Sequence, residues 1–336
     1  MRIKKSIMLI SALVLFLFML SACGGKNINS SSSTPEKTKI NAAVIKGPSG
    51  IGMVNLMELN ANGTASNDYK FTVVSSPDEI VSKISSKEVD LATPPTNLAA
   101  TLYKKTSGKV QMLAASTKGV LYILENGNTI QSAADLKGKT IYTTGQGANP
   151  EYILKYILTK NGIDPEKDVN IVFKVDNDEL ATLLATGAAS VALVPEPIVT
   201  SVKAKKAELR VALDMTAEWD KVSGGESQLL MGCVIGRREF VESNPEAVKK
   251  FLEEYKASIN KATTEVDSTA ALCEKHGIIP KAAVAKAAIP RCGLTYIDGN
   301  AMMEQIRGFF DVLFAANPGS VGGALPNDEF YYNLQK

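Results

Sequence analysis

The apolar positions of this chain fall into two regimes. Behind a basic start of Arg2, Lys4 and Lys5, residues 7–20 are apolar throughout except at Ser11. That run is too short to span a bilayer comfortably and ends in small residues, so it predicts a signal peptide over residues 1–22. From Ile40 onward, short apolar strands alternate with amphipathic helices, the α/β layering built around mainly parallel sheets. Residues 40–45 predict a first strand, leading through 46–52 into a helix that carries Met53, Val54, Leu56, Met57 and Leu59. Residues 71–74 predict a second strand. The next helix is signposted by Ser76 as N-cap, Pro77 in the first helical position and Glu79 completing a capping box. Residues 89–92 return as a strand.

The same phrase recurs one hundred residues later without a gap. Asp78 and Glu79 match Asp178 and Glu179, Ala92 matches Ala192 and Pro95 matches Pro195, with apolar residues facing apolar residues between them. Two copies of a capped helix, a buried strand and a proline-marked exit predict two lobes of one design. The second lobe should begin near Thr129. Lobe II should hold a helical turn near 132–139, a strand at 140–143, a helix closing at Asn161-Gly162, and a strand at 169–175. The return to lobe I should run through 229–235, ahead of helices beginning near Pro245 and spanning about 298–316. Two crossings between lobes imply a hinge.

Composition narrows the classes. Lys plus Arg number 37 against 35 Asp plus Glu, with no basic block, so nucleic-acid binding has no support. The signal closes on Leu20-Ser21-Ala22-Cys23, which resembles the lipobox of bacterial lipoproteins. That resemblance implies cleavage before Cys23, a diacylglyceryl (and palmitate) anchor on its sulfur, and a position on the extracellular face of the cell membrane. Residues 23–39, rich in Ser, Asn, Gly and Lys, read as a flexible tether. Of the remaining cysteines, Cys233 lies in an apolar run and reads as a buried hydrophobe. Whether Cys273 and Cys292 form a disulfide stays open. No metal-ligand spacing and no cofactor motif is present.

Together with the lipobox, four phrases carry a wider resemblance: residues 89–97 (Val-Asp-Leu-Ala-Thr-Pro-Pro-Thr-Asn), 135–139 (Asp-Leu-Lys-Gly-Lys), 194–197 (Val-Pro-Glu-Pro) and 326–332 (Pro-Asn-Asp-Glu-Phe-Tyr-Tyr). In that order the chain resembles the nitrate/sulfonate/taurine-type, and thiamine-precursor-type, solute-binding lipoproteins of ABC importers. The resemblance implies a two-lobed type II periplasmic-binding-protein fold, with lobe I at 40–127 plus 226–336 and lobe II at 128–225, that closes like a Venus flytrap on a small solute. It further implies permease and ATPase partners, a monomer, and no catalysis. Pyrimidine- and menaquinone-precursor enzymes share the fold, and a surface sensor or adhesin could retain it, so these stand as alternatives.

In open α/β sheets a ligand sits beyond the carboxyl ends of strands, at helix N-termini. Four elbows meet that description. The first offers Ser49, Gly50 and Gly52, and the second offers Thr93, Pro95, Thr96 and Asn97. The third offers Gln146, Asn149 and the exposed amides of Gly145 and Gly147, and the fourth offers Glu196, whose carboxylate would favour a cationic or donor-rich ligand, pair with a lysine, or cap the next helix. Tyr142 and Trp219 are candidate stacking rings, and Thr117 and Gln228 lie near the crossings. No elbow carries an arginine, the usual bidentate partner of a strong anion, and Lys46 and Lys118 are the nearby cations.

Overall fold

A computed structural model describes residues 37–225 and 227–333. The signal peptide, the lipobox with Cys23 and nearly all of the tether lie outside them. Among the described residues no helix is long and apolar enough to cross a membrane.

Strand β1 (Lys39–Ile45) leads through the short helix α1 (Pro48–Ile51) to α2 (Val54–Ala61), then β2 (Asp68–Val74) and α3 (Pro77–Ser85). The capping box forms as the sequence predicts: Glu79 N–H donates to the Ser76 hydroxyl, and the Glu79 carboxylate accepts from Ser76 N–H. Strand β3 (Leu91–Ala92), α4 (Thr96–Lys105) and β4 (Val110–Thr117) follow. The chain then enters a second sheet with β5 (Leu121–Glu125), β6 (Thr140–Thr143), α5 (Asn149–Lys160) and β7 (Asn170–Phe173). It continues there with α6 (Asn177–Thr186), β8 (Val191–Pro195), α7 (Ile198–Lys205), β9 (Arg210–Asp214) and α8 (Met215–Ser223). Strand β10 (Gly232–Arg237) returns to the first sheet, followed by α9 (Arg238–Ser243), α10 (Pro245–Thr264) and α11 (Val266–Lys275). Helix α12 (Ala282–Ala288), β11 (Leu294–Asp298) and α13 (Gly299–Ala316) complete the order.

The first sheet has the order β11-β4-β10-β3-β1-β2 and the second β7-β6-β8-β5-β9. The two halves of the sequence repeat occupy equivalent places. In each lobe a central strand (β1, β6) pairs in parallel with the strand before the repeated helix (β2, β7) and with the strand after it (β3, β8). Both sheets are mixed, because β10 runs antiparallel to β3 and β4, β11 to β4, and β5 to β8 and β9.

The division between lobes differs from the expected one at 127/128. Strand β5 already belongs to the second sheet, so the first crossing is Lys118-Gly119-Val120. The apolar stretch on either side of it hides this boundary. Its strands bury both faces, Leu121 and Ile123 against one core and Tyr122 and Leu124 against another, and so present no alternation to read. Helix α13 also reaches lobe II. Phe309 on α13 packs edge-on against Trp219 of α8 at 5.5 Å, Trp219 packs on Tyr156 of α5 at 4.6 Å, and Asn317 donates to the Tyr152 hydroxyl.

At the end of β5, the Glu125 carboxylate accepts from the Thr129 N–H and hydroxyl, the Ile130 N–H and the Arg210 guanidinium. Burial alone would raise its pKa; these donors outweigh burial and hold it at about 2. A carboxyl lowered by folding stabilises the folded state above its unfolded pKa and loses that contribution as pH falls toward the folded value. We expect about 2–3 kcal/mol of unfolding free energy to disappear between pH 4.5 and 2, and Glu125→Gln to flatten that part of the profile. Equal pH slopes for the two proteins in urea titrations would refute the assignment.

Candidate functional site

The carboxyl ends of β1, β3 and β4 and the start of β10 converge in lobe I. Gly47 takes φ +95°, a backbone that glycine allows, and turns the chain from β1 into α1. Gly50 and Gly52, expected to let a ligand approach, serve packing instead. A Cβ on Gly50 would lie 2.5 Å from the Ile45 carbonyl oxygen, and one on Gly52 would lie 3.0 Å from Ile259. Ser49 is 9% exposed and Thr117 2% exposed, and neither hydroxyl has a hydrogen-bond partner among the described residues. Both flank Gly232: a Cβ there would come 2.2 Å from Thr117 Oγ1 and 2.5 Å from Ser49 Oγ. Pro95 bridges to the same glycine across the strand gap.

The threonines of the second elbow are struts. Thr93 Oγ1 accepts from Ile45 N–H at 3.0 Å. Thr96 donates its hydroxyl to the Leu230 carbonyl at 2.8 Å and its N–H to the Met231 carbonyl. Thr96 therefore ties α4 to the return strand, and a binding role for its hydroxyl would compete with that bond. Asn97, half-buried in the first turn of α4, makes no side-chain hydrogen bond among the described residues.

In lobe II the third elbow turns at Gly145 and Gly147, with φ +78° and +72°. The Gly147 N–H, expected to be open, is taken by the Glu151 carboxylate at 2.6 Å. Gln146 is exposed with an uncommitted side chain, whereas Asn149 is 5% exposed and its Oδ1 is buried without a partner. Tyr142 lies against the core formed with α6 and α7, on the opposite face of the sheet from Ile141 and α5, with the Lys174 ammonium 5.9 Å above its ring. Trp219 is fully buried and its indole N–H donates to Ser227, which makes it core.

For Glu196 the structure realises the capping alternative. Its carboxylate is fully buried, caps α7 by accepting from the Thr200 N–H and hydroxyl, and pairs with Arg291 at 2.6 Å. Three donors and full burial set it back from a cationic ligand. Gln228 donates its N–H to the Gln305 carbonyl of α13, and its Oε1 is buried without a partner. Sequence reasoning missed Gly232 and Arg291. The former could have been found as the glycine interrupting the apolar run 229–235. The latter lies almost one hundred residues from its partner and carries no local signal.

The thiols of Cys233, Cys273 and Cys292 are unpaired and buried. Burial pushes all three up, Cys273 to about 12, which keeps them protonated and poor nucleophiles. Cys273 and Cys292 are thus separate thiols here. His276 sits beside Lys275 with its Nε2 3.1 Å from Glu58. Among the described residues no three His, Cys, Asp or Glu side chains gather as metal ligands.

Comparison with known proteins bears on the fold. Residues 107–267 match the model of a family described as NMT1/THI5 like. A stretch of 62 residues is 34% identical to the YtlA protein of Bacillus subtilis (strain 168); it covers 18% of this chain and only 19% of that protein. Among solved structures, an ABC transporter from Parabacteroides distasonis superposes with a TM-score of 0.75 at 23% identity, covering 89% of this chain and 100% of its own. The periplasmic aliphatic sulphonate binding protein SsuA from Escherichia coli gives 0.69 at 14% identity, covering 89% and 94%. At such identities the likeness is one of fold, the type II periplasmic-binding-protein fold.

Proposed function

We propose that this chain, which carries an NMT1/THI5-like domain on the type II periplasmic-binding-protein fold, is the solute receptor of an ABC importer. The observation that carries the reading is the pairing of unengaged polar groups at strand ends of both lobes. Ser49 and Thr117 flank the bare backbone of Gly232 in one lobe, and Gln146 and Asn149 stand at the start of α5 in the other. Closure about the two crossings would bring a small solute between these walls, binding shifting an open–closed equilibrium by its preference for the closed state. The lipid on Cys23 would hold the receptor at the outer face of the membrane, where it would work as a monomer with its permease and ATPase. Mass spectrometry of the membrane form, showing a diacylglyceryl adduct on Cys23 or an unmodified thiol, decides the anchor.

A binding role is favoured over catalysis by the state of the reactive groups. The thiols are buried and protonated, and the Glu196 carboxylate is engaged by Thr200 and Arg291. The solute class is tested by thermal shift with alkylsulfonates, nitrate, pyrimidine and thiamine precursors, amino acids and aromatic acids. One class should raise the melting temperature dose-dependently, since a ligand at a hundredfold its Kd adds about 2.7 kcal/mol to the folded state. Gln146→Ala should then weaken binding several-fold without changing the stability of the free protein, because its side chain is exposed and makes no hydrogen bond among the described residues. A flat response across the whole panel would count against a solute receptor.

A further inference from the structure

Three stretches of chain meet at Arg291, in the 3₁₀ turn Ile289–Arg291 ahead of β11. Its Nε donates to Glu196 Oε1 at 2.6 Å, its Nη2 donates to Thr200 Oγ1 at 2.8 Å, and its carbonyl accepts from the Tyr122 hydroxyl at 2.8 Å. Glu196, Thr200 and Tyr122 belong to or border elements of the second sheet, whereas residue 291 leads into the first. The same knot grips the first crossing from both sides. The Lys118 N–H donates to the Gly293 carbonyl at 2.7 Å, and the Glu196 N–H donates to the Val120 carbonyl at 2.9 Å. Gly293 takes φ +57°, and a Cβ there would lie 2.9 Å from the Gly119 carbonyl oxygen, so the contact is too close for a side chain.

A buried carboxylate tolerates its loss of water only while its donors stay in place. The Glu196 side chain is fully buried and that of Arg291 is 38% exposed, so parting them would strand the carboxylate. Relative motion of the lobes is therefore cheapest when this pair stays intact and the lobes turn about it. We propose that Arg291 is a positioning residue of the receptor cycle: its fork on Glu196 and Thr200 makes this knot the pivot of lobe closure. Arg291 is thereby held away from direct solute recognition, since an anion would have to compete with Glu196 for it.

The proposal rests on the receptor reading, but its first test needs no solute. Fluorophores on exposed Lys105 and Lys167 of the full chain report the interlobe distance by single-molecule energy transfer. Arg291→Ala should broaden the distribution while far-UV dichroism stays native. Arg291→Lys, which keeps the charge and loses the fork, should be intermediate. Glu196→Gln should reproduce the broadening, and the double variant should be no broader than Arg291→Ala. Where a solute is known, a fall of the competent population to about a tenth lowers affinity about tenfold. An unchanged distribution in folded Arg291→Ala, or a broadening that Glu196→Gln does not share, overturns the proposal. Should Arg291→Ala fail to fold, Arg291→Lys and Glu196→Gln decide by the same distributions. Failure of every solute would refute the receptor reading, while the distance distributions would still decide whether the lobes pivot at Arg291.

Discussion

Trp219→Ala should lower the unfolding free energy by about 3–5 kcal/mol, the range for truncating a fully buried large aromatic. The indole is inaccessible to solvent and its N–H donates to Ser227 at 3.2 Å. Its ring joins Tyr156 of α5 to Phe309 of α13, so the variant opens a cavity where helix α13 crosses between lobes. The cavity also leaves the Ser227 hydroxyl without its donor, which adds to the loss. Trp219→Phe, which keeps most of the volume and loses the hydrogen bond, should recover the larger part. Because Trp219 is the sole tryptophan, the measurement is urea unfolding followed by far-UV dichroism rather than intrinsic fluorescence. A loss below about 1 kcal/mol would mean that α13 is held to lobe II by other contacts.

Gly232→Val should abolish solute-induced stabilisation, with an affinity loss of about a hundredfold or more. Even one added carbon would lie within 2.5 Å of both Ser49 Oγ and Thr117 Oγ1, so valine must displace both hydroxyls. Overpacking of this kind costs about 1–3 kcal/mol of stability, which the free protein can be checked for separately. Ser49→Ala and Thr117→Val remove the hydroxyls one at a time without adding bulk at Gly232. Each lost hydrogen bond is worth about 0.5–1.5 kcal/mol, so each variant should bind roughly two- to tenfold more weakly. Titration calorimetry with the solute class identified by thermal shift separates these cases. Wild-type affinity in folded Gly232→Val would move the site away from the β10 start altogether.

Much of the lobe design was legible in the residues. The Ser76–Glu79 capping box, the strand at residues 140–143 and the helix ending at Asn161-Gly162 are local events, governed by caps, turns and side-chain period. The hundred-residue repeat was readable for the same reason, since both copies obey one local pattern. Strands β4 and β5 escaped because a strand buried on both faces has no polar alternation, and the crossing between them is only three residues long. The elbows lie where strands give way to helices, but the state of the polar groups within them depends largely on partners distant in sequence. Thr93 is tied to Ile45, Thr96 to Leu230 and Glu196 to Arg291.

The amino-acid order by itself determined an α/β chain of two repeated lobes, with its helix caps, most strand positions and the loops from which a site could be built. These follow from interactions within a few residues, where sequence separation and spatial separation are nearly the same. Only the tertiary structure decided which polar groups in those loops are engaged and which are free. It turned Glu196 from a candidate ligand group into half of an ion pair across the lobes, made Trp219 core, and left Ser49 and Thr117 facing a glycine. A buried polar atom takes whatever donor or acceptor the fold brings within about 3 Å. For Glu196 that donor lies 95 positions along the chain, a distance over which no local pattern can point to it.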